Sequence, residues 1–288
     1  AYPWPATLEG LPHWDNASFV INGNKKLFLS YNTVDESWSP ELANTNLQEA
    51  GADHPIDILS RNLALRSISR FASSPSPIVL EVGCDNGLFL KDLKRRIPSA
   101  PIMGADVVGA TLVRIAGELP GVPLMQFDIT RCPLPDGTLD VVVMMNVLEH
   151  IDDDAAAIAN AWRILKQGGI LYIEVPSGPW LFDVYDEIFL HRRRYVMRGL
   201  RQLVKRSGFK VQYTTHIGFF VYPGFVVSKL INKIRKPQDA RERVIHVKKQ
   251  IRSTRSNPLM KMLCVVEEQA GKLIPYPCGV RCVIVCKK

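Results

Sequence analysis

Val79-Leu80-Glu81-Val82-Gly83-Cys84-Asp85-Asn86-Gly87-Leu88-Phe89-Leu90 reads as a buried strand, a tight glycine turn and the start of a helix. Glycines at such a turn supply backbone conformations closed to other residues, and they let main-chain N–H groups approach a ligand with no Cβ in the way. Asp85 stands where a dinucleotide fingerprint of the form G-x-G-x-x-G has its second glycine, the one that brings backbone to a pyrophosphate. A carboxylate at that place repels a diphosphate. Glu81 adds a second acid at the end of the same strand, so the turn favours a ligand that carries positive charge.

Outward from this stretch the chain alternates short apolar runs with helix-period segments, the signature of a doubly wound α/β fold with a parallel sheet. The expected strands are Ile78 to Val82, Ile102 to Ala105, Leu124 to Phe127, Asp140 to Met145, Ile170 to Val175, Lys210 to Thr215 and Val280 to Cys286. Helices are expected at Leu88 to Arg96, Gly109 to Gly117, Asp152 to Leu165 and Met197 to Arg206, the last two closed by Gly168-Gly169 and Gly208. Residues 1–76 lack strand alternation, and Pro40-Glu41-Leu42 and Pro55-Ile56-Asp57-Ile58-Leu59 look like helix starts, so this part is expected to be a helical extension. The interval between the sixth and seventh strands is too long for a plain connection. Met260, Leu263, Val266 and Ala270 recur at helical spacing within it, which predicts an amphipathic helix from Pro258 to Leu273. The expected organisation is therefore an extension over 1–76, a Rossmann-like core over 77–216, a helical cap or membrane-facing insertion over 217–279 and a final core strand over 280–288.

With 288 residues, 47% of them hydrophobic, the chain can bury one large α/β core plus a cap. Six cysteines, four of them within the last 25 residues, do not form a disulfide framework and point to a reducing compartment, the cytoplasm. No basic-then-apolar signal opens the chain, and the longest apolar run, Ile217 to Val227, is too short to span a bilayer. The net charge of +8 lies in one place: ten Lys or Arg against two acids between Lys229 and Arg255, with the rest of the chain balanced. A solvated helix face explains such a segment as well as any ligand does. Its position after Phe219-Phe220-Val221-Tyr222 suits peripheral contact with a membrane surface through 217–255.

Ligands of an open parallel sheet bind beyond the carboxyl ends of its strands. Asp106 ends the second expected strand, at the distance from the glycine turn where an acid can take two ribose hydroxyls. Asp128 ends the third, followed by Ile129, and can accept from an adenine amino group; Asn146 ends the fourth. Each alone suits a helix cap or a turn. Together with Glu81, Gly83, Cys84, Asp85 and Gly87 they make a site for a cationic nucleoside, and S-adenosylmethionine, with its sulfonium and ammonium groups, fits.

Glu81-Val82-Gly83-Cys84-Asp85-Asn86-Gly87, then Asp106, Phe127-Asp128-Ile129, Leu134-Pro135-Asp136-Gly137-Thr138-Leu139-Asp140, Asn146-Val147-Leu148-Glu149-His150 and Ile164-Leu165-Lys166-Gln167-Gly168-Gly169 follow in one order. That order resembles the class I S-adenosylmethionine-dependent methyltransferases, most of all the broad small-molecule group that includes the quinone methylases. The likeness runs from about Ile78 to Phe209. It implies S-adenosylmethionine as cofactor, with the methionine part at Glu81 to Gly87, ribose at Asp106, adenine beside Asp128 and methyl transfer near Asn146. It also implies seven strands with the last inserted antiparallel. Asp85 departs from the family's turn, whose middle position is glycine.

A methyltransferase needs little beyond alignment of nucleophile and methyl group. His150 and His191 are the candidates for a base, although a lone histidine is more often a hydrogen-bonded structural residue. Asp183, Tyr185 and Tyr195 are candidates for the acceptor pocket, and Arg192 to Arg194 could clamp an acidic acceptor. Asp152-Asp153-Asp154 suits a helix N-terminus better than Mg²⁺, and Cys278, Cys282 and Cys286 lack the partners of a zinc site, so no metal is expected. The expected function is methyl transfer to a small apolar or lipid-like acceptor. The alternatives are an RNA methyltransferase using 229–255, where stacking aromatics are missing, and a noncatalytic binding module on the same fold.

Overall fold

The structure, a computed structural model, describes residues 2–31, 51–234 and 239–288. Its strands are β1 His13–Trp14, β2 Phe19–Ile21, β3 Asn24–Lys26, β4 Leu29–Ser30, β5 Val79–Val82, β6 Ile102–Asp106, β7 Leu124–Gln126, β8 Leu139–Met145, β9 Leu165–Pro176, β10 Lys210–Ile217 and β11 Arg281–Lys287. Its described helices are α1 Pro55–Phe71, α2 Leu88–Arg96, α3 Gly109–Glu118, α4 Asp154–Ile164, α5 Val184–Ile188, α6 Met197–Arg206, α7 Tyr222–Ile234, α8 Ala240–Ser256 and α9 Pro258–Ala270.

Eight strands form one sheet in the order β10-β11-β9-β8-β5-β6-β7-β4. Every neighbouring pair from β9 to β4 is parallel, and β11 runs antiparallel between β9 and β10. The seven expected strands are all present, the last of them inserted antiparallel, and β4 is an eighth at the edge. Because β5 is flanked by β6 on one side and β8 on the other, the chain winds outward in both directions from it, and a crevice opens at their carboxyl ends. The four residues of β5 are buried, which is why this strand reads as an unbroken apolar run apart from Glu81. One face of the sheet packs against α1, α2, α3 and α9 through Leu63, Phe89, Leu112 and Cys264. The other packs against α4, α6 and the N-terminal strands through Ile158, Leu200 and Phe19.

The expected helical character of 1–76 needs correction. Pro55–Phe71 is a helix, entered through Pro55, whose missing N–H costs nothing at that position. Residues 13–26 instead form a three-stranded sheet, β1-β2-β3, turned by Asn22 (φ 48°) and Gly23 (φ 82°), and Leu29 and Ser30 pair with β7. The driving force is burial of Phe19, Ile21 and Leu29 on the core, with Trp4 and Trp14 packed on the Phe19 ring at 4.9 and 4.7 Å. Pro40-Glu41-Leu42 lies outside the described residues. A second correction concerns Gly168-Gly169. The helix stops at Ile164, and the glycines lie inside β9, where the register against β8 jumps from Leu139↔Leu165 to Val141↔Ile170. Gly168, at φ 78°, takes the bulge that a side chain would resist. The interval 217–279 holds α7, α8 and α9, packed across the carboxyl end of the sheet.

Candidate active site

A cavity of about 960 Å³ opens where β5, β6, β7 and β8 end, roofed by α7, α8 and α9. Its floor begins at the glycine turn. Gly83 and Cys84 both donate to the Ala105 carbonyl, and Gly87 donates to Cys84. Gly83 has φ 73°, and a Cβ there would meet Val147 Cγ2 at 2.5 Å, so no other residue fits without moving the β8 loop. Asp85 sits at φ 32°, a region that favours glycine and that aspartate tolerates better than most. Its strain is held from two sides: its N–H donates to Asp106 Oδ2 at 2.9 Å, and its carbonyl accepts from Arg114. The departure from the family's glycine is thus a residue in the conformation glycine would take. Asn146, at φ 55°, is a second such position, and its N–H is tied to the Glu174 carbonyl at 2.8 Å. Backbone strain concentrated at one crevice is a mark of a functional site.

The acids follow. Glu81 is buried, and its Oε2 has no hydrogen-bond partner. Burial first, then the neighbouring Asp106 and Asp85, push its carboxyl well above the usual range. Burial also raises Asp106, against the backbone N–H groups of Val108 and Asp85 that it accepts. Arg61 and Arg114 offset the mutual repulsion of these desolvated acids only in part, and a sulfonium or ammonium group would supply further positive charge. Asp128 caps a short turn through the Thr130 N–H at 2.8 Å, as the simplest reading of that residue expects, and still lines the cavity. Glu81, Gly83, Cys84, Asp85, Asp106, Asp128, Ile129 and Asn146 all face the same space. Gly87 does not; it begins α2 at φ 70°, against Ile115.

Of the residues expected on the acceptor side, His150, His191 and Tyr185 line the cavity. Asp183 and Tyr195 do not. Asp183 caps α5 through the Tyr185 N–H and accepts from Lys229 at 2.5 Å and Asn232 at 2.6 Å. The Tyr195 hydroxyl is spent on the Leu148 carbonyl and Asp154. Arg192 and Arg193 pair with Asp152 and Asp154, and only Arg194 is buried, against Asp186 at 2.8 Å. Asp153 caps α4. Burial drives His150 down to about 3 and lowers His191 despite the Asp186 carboxylate on its Nδ1 at 2.7 Å. Both rings are therefore neutral at pH 7, and His150 is a poor proton acceptor.

Sequence reasoning missed the groups around them. Glu149 is fully buried, lines the cavity and has no hydrogen-bond partner on either carboxylate oxygen, so desolvation raises it to about 8. Arg281 from β11 bridges Glu174 at 2.8 Å and Asp57 at 2.7 Å, joining the sheet to α1. Lys229, read as part of a basic surface, is buried between Asp183 and Asp186, and its charge contacts the Tyr185 ring at 4.8 Å.

Glu149 and His150 set opposite pH slopes. Glu149 holds its proton when folded and sheds it when unfolded, so its contribution is complete below 4.5 and is lost as pH rises through about 8. His150 contributes stability above 6.5 that is lost as pH falls toward about 3. Between pH 6.5 and 8 the His150 slope is gone, and Glu149 adds a decline near 1.4 kcal/mol per unit to whatever the other buried groups set. Chemical unfolding across that range is expected to show a decline in wild type that Glu149→Gln reduces by about 2 kcal/mol. Parallel curves for the two proteins would refute the assignment.

Residues 80–173 match the methyltransferase domain family. The chain is 30% identical over 196 residues, 54% of its length and 81% of the relative, to a demethylmenaquinone methyltransferase of Deinococcus radiodurans. It is 30% identical over 141 residues to a Mycolicibacterium smegmatis protein named "Probable S-adenosylmethionine-dependent methyltransferase", covering 47% of this chain and 53% of that one. The chain thus spans about half the length of that relative. Among solved structures, the [4+2]-cyclase SpnF superposes with a TM-score of 0.52 at 17% identity, over 80% of each chain. A cyclase on this fold means that the fold by itself does not fix the reaction.

Proposed function

We propose that this chain, which belongs to the class I S-adenosylmethionine-dependent methyltransferases, transfers a methyl group to a small apolar or lipid-like acceptor held beneath its helical cap. The observation that carries the reading is the convergence of Glu81, Asp85, Asp106 and Asp128 on one cavity whose cap side brings Phe220, Val221, Phe225, Ile251, Met260 and Leu263 together with the polar Asn232, Gln250 and Thr254. When bound, the cofactor supplies an electrophilic methyl group on a sulfonium.

The rest is done by the chain. The glycine turn lets the main chain pass close to the cofactor's methionine part with no Cβ at Gly83 in the way, and Glu81 is the counter-charge to its cation. Asp106 takes the ribose, and Asp128 with Ile129 flanks the base. Phe220, Val221, Phe225, Ile251, Met260 and Leu263 make the acceptor wall and exclude water. The Deinococcus relative is named for demethylmenaquinone, and an acceptor of that apolar kind suits this wall. Alignment of acceptor and methyl group is the main source of acceleration. Calorimetric titration with S-adenosylmethionine is expected to give one site per chain, and bulk RNA is expected to take up no labelled methyl group. No binding would leave only the noncatalytic module, and labelled RNA would replace the small acceptor.

Membrane contact is the second element of the proposal. Val227, Leu230, Ile231 and Ile234 lie exposed on one side of α7, Ile234 at 84% of its full area, with exposed Lys233 on the same helix and Arg252 on α8. Apolar and basic groups on neighbouring helices suit an anionic interface. Among the described residues no helix is long and apolar enough to cross a membrane. Lys229 takes no part, being buried. Sedimentation with anionic vesicles is expected for wild type and lost on Leu230→Asp with Ile234→Asp; sedimentation unchanged by the pair would remove the membrane from this reading.

A further inference from the structure

Glu149, His150 and His191 each place a ligand-type atom within 4.8 Å of the other two. Glu149 brings a fully buried carboxyl group with neither oxygen hydrogen-bonded, and its charged form costs several kcal/mol there unless a cation or donor answers it. The two imidazoles are turned by acceptors behind them. His191 Nδ1 is bonded to Asp186 at 2.7 Å, which leaves Nε2 for the cluster, and His150 bonds the backbone of Leu190. Leu190 itself is held at φ 54°, a strained conformation for a leucine. The two segments are joined by the Arg192 N–H on the Glu149 carbonyl at 2.6 Å. A carboxylate or carbonyl behind each ligating histidine is the arrangement that fixes imidazoles for a metal.

We propose that Glu149, His150 and His191 bind one divalent first-row transition ion, open on the side of the cavity, where an oxygen of the acceptor completes its coordination. Two imidazole nitrogens and one carboxylate suit Zn²⁺, Mn²⁺, Fe²⁺ or Co²⁺; Mg²⁺ and Ca²⁺ prefer oxygen throughout. Three protein ligands with a vacant position are the composition of a site that handles a substrate. Ligand atoms around such an ion stand about 3.4 Å apart, so the cluster closes by side-chain rotation of roughly an ångström. The acceptor role rests on the methyl-transfer reading; ion binding does not. Sequence spacing concealed the site, because His191 comes from beyond β9.

The test is titration of the full chain with Co²⁺ in the absence of S-adenosylmethionine. One equivalent is expected to bind and to give a visible d–d absorption band of five- or four-coordinate cobalt, with Mg²⁺ in excess failing to displace it. His191→Ala and Glu149→Gln, each checked for retained S-adenosylmethionine binding and thermal unfolding, are expected to weaken the affinity about 100-fold or more. Should the variants misfold, spin-echo spectroscopy of Mn²⁺ in wild type must show two imidazole nitrogens. The proposal is overturned by an absence of stoichiometric binding, by a thiolate charge-transfer band, by a band that persists in folded variants, or by an ion without imidazole coupling. Failure of S-adenosylmethionine to bind while cobalt does would sink the methyltransferase reading and leave the ion site standing.

Discussion

Asp106→Ala is expected to weaken S-adenosylmethionine binding by about two to four orders of magnitude, since a carboxylate that accepts two ribose hydroxyls loses two charge-assisted hydrogen bonds worth roughly 1.5–3 kcal/mol each. The carboxylate already accepts from Asp85 N–H and Val108 N–H, both at 2.9 Å, and two carboxylate oxygens have lone pairs left for two more donors. Alanine thus acts twice, removing the ribose contact and releasing the one bond that pins the N–H of strained Asp85. Asp106→Asn separates these effects. Its remaining oxygen can hold one backbone donor, but the buried negative charge that a cationic ligand answers is gone. Calorimetry on both variants, with thermal unfolding to confirm that they fold, reads the outcome. A dissociation constant that Asp106→Ala leaves unchanged would show that the ligand lies elsewhere.

What the sequence disclosed followed the reach of each physical signal. β5, β6, β8 and α2 were legible because a buried parallel strand is a short apolar run, and α2 follows its glycine turn within the same stretch. The strand-end acids were legible for the same reason, since the end of a strand is a local fact. The N-terminal hairpin was overlooked although its signal is present: Phe19-Val20-Ile21-Asn22-Gly23-Asn24 puts an Asn-Gly pair between two strands, and both residues take the positive φ that such a turn demands. Strands of two or three residues offer too little alternation to outweigh the helix-like segments after them. Lys229 was misread because charge in a sequence carries no depth. Only the packing of α7 over α5 sets its ammonium between Asp183 and Asp186. Arg281 and Glu174 were illegible for a related reason, their meeting being fixed by the antiparallel register of β11 on β9.

Asp186→Ala is the substitution expected to cost the fold most, about 3–5 kcal/mol, because it leaves buried positive charge without its partner. Asp186 is fully buried and accepts from His191 Nδ1 at 2.7 Å, Arg194 Nε at 2.8 Å, Lys229 Nζ at 3.5 Å and the Asp183 N–H at 3.0 Å. Burial alone would raise its carboxyl, and the His191 bond with the Lys229 and Arg194 charges outweighs that, holding it well below the usual range. The sign of the pH dependence follows. A depressed folded value means that the stabilisation is complete above the unfolded carboxylate value, near 4, and is lost as pH falls below it toward the folded value. Urea unfolding at pH 7 is expected to show the full deficit of the variant, and the gap to wild type is expected to narrow below about pH 4. A variant as stable as wild type at pH 7 would mean that water reaches this cluster and screens it. The same loss would reach the cavity, since His191 hangs on Asp186. His191, Arg194 and the start of helix α5 thus share one carboxylate, while Lys229 keeps its closer partner Asp183 at 2.5 Å, so loosening Asp186 should raise the mobility of the His191 side of the cavity before it disturbs the turn at Gly83.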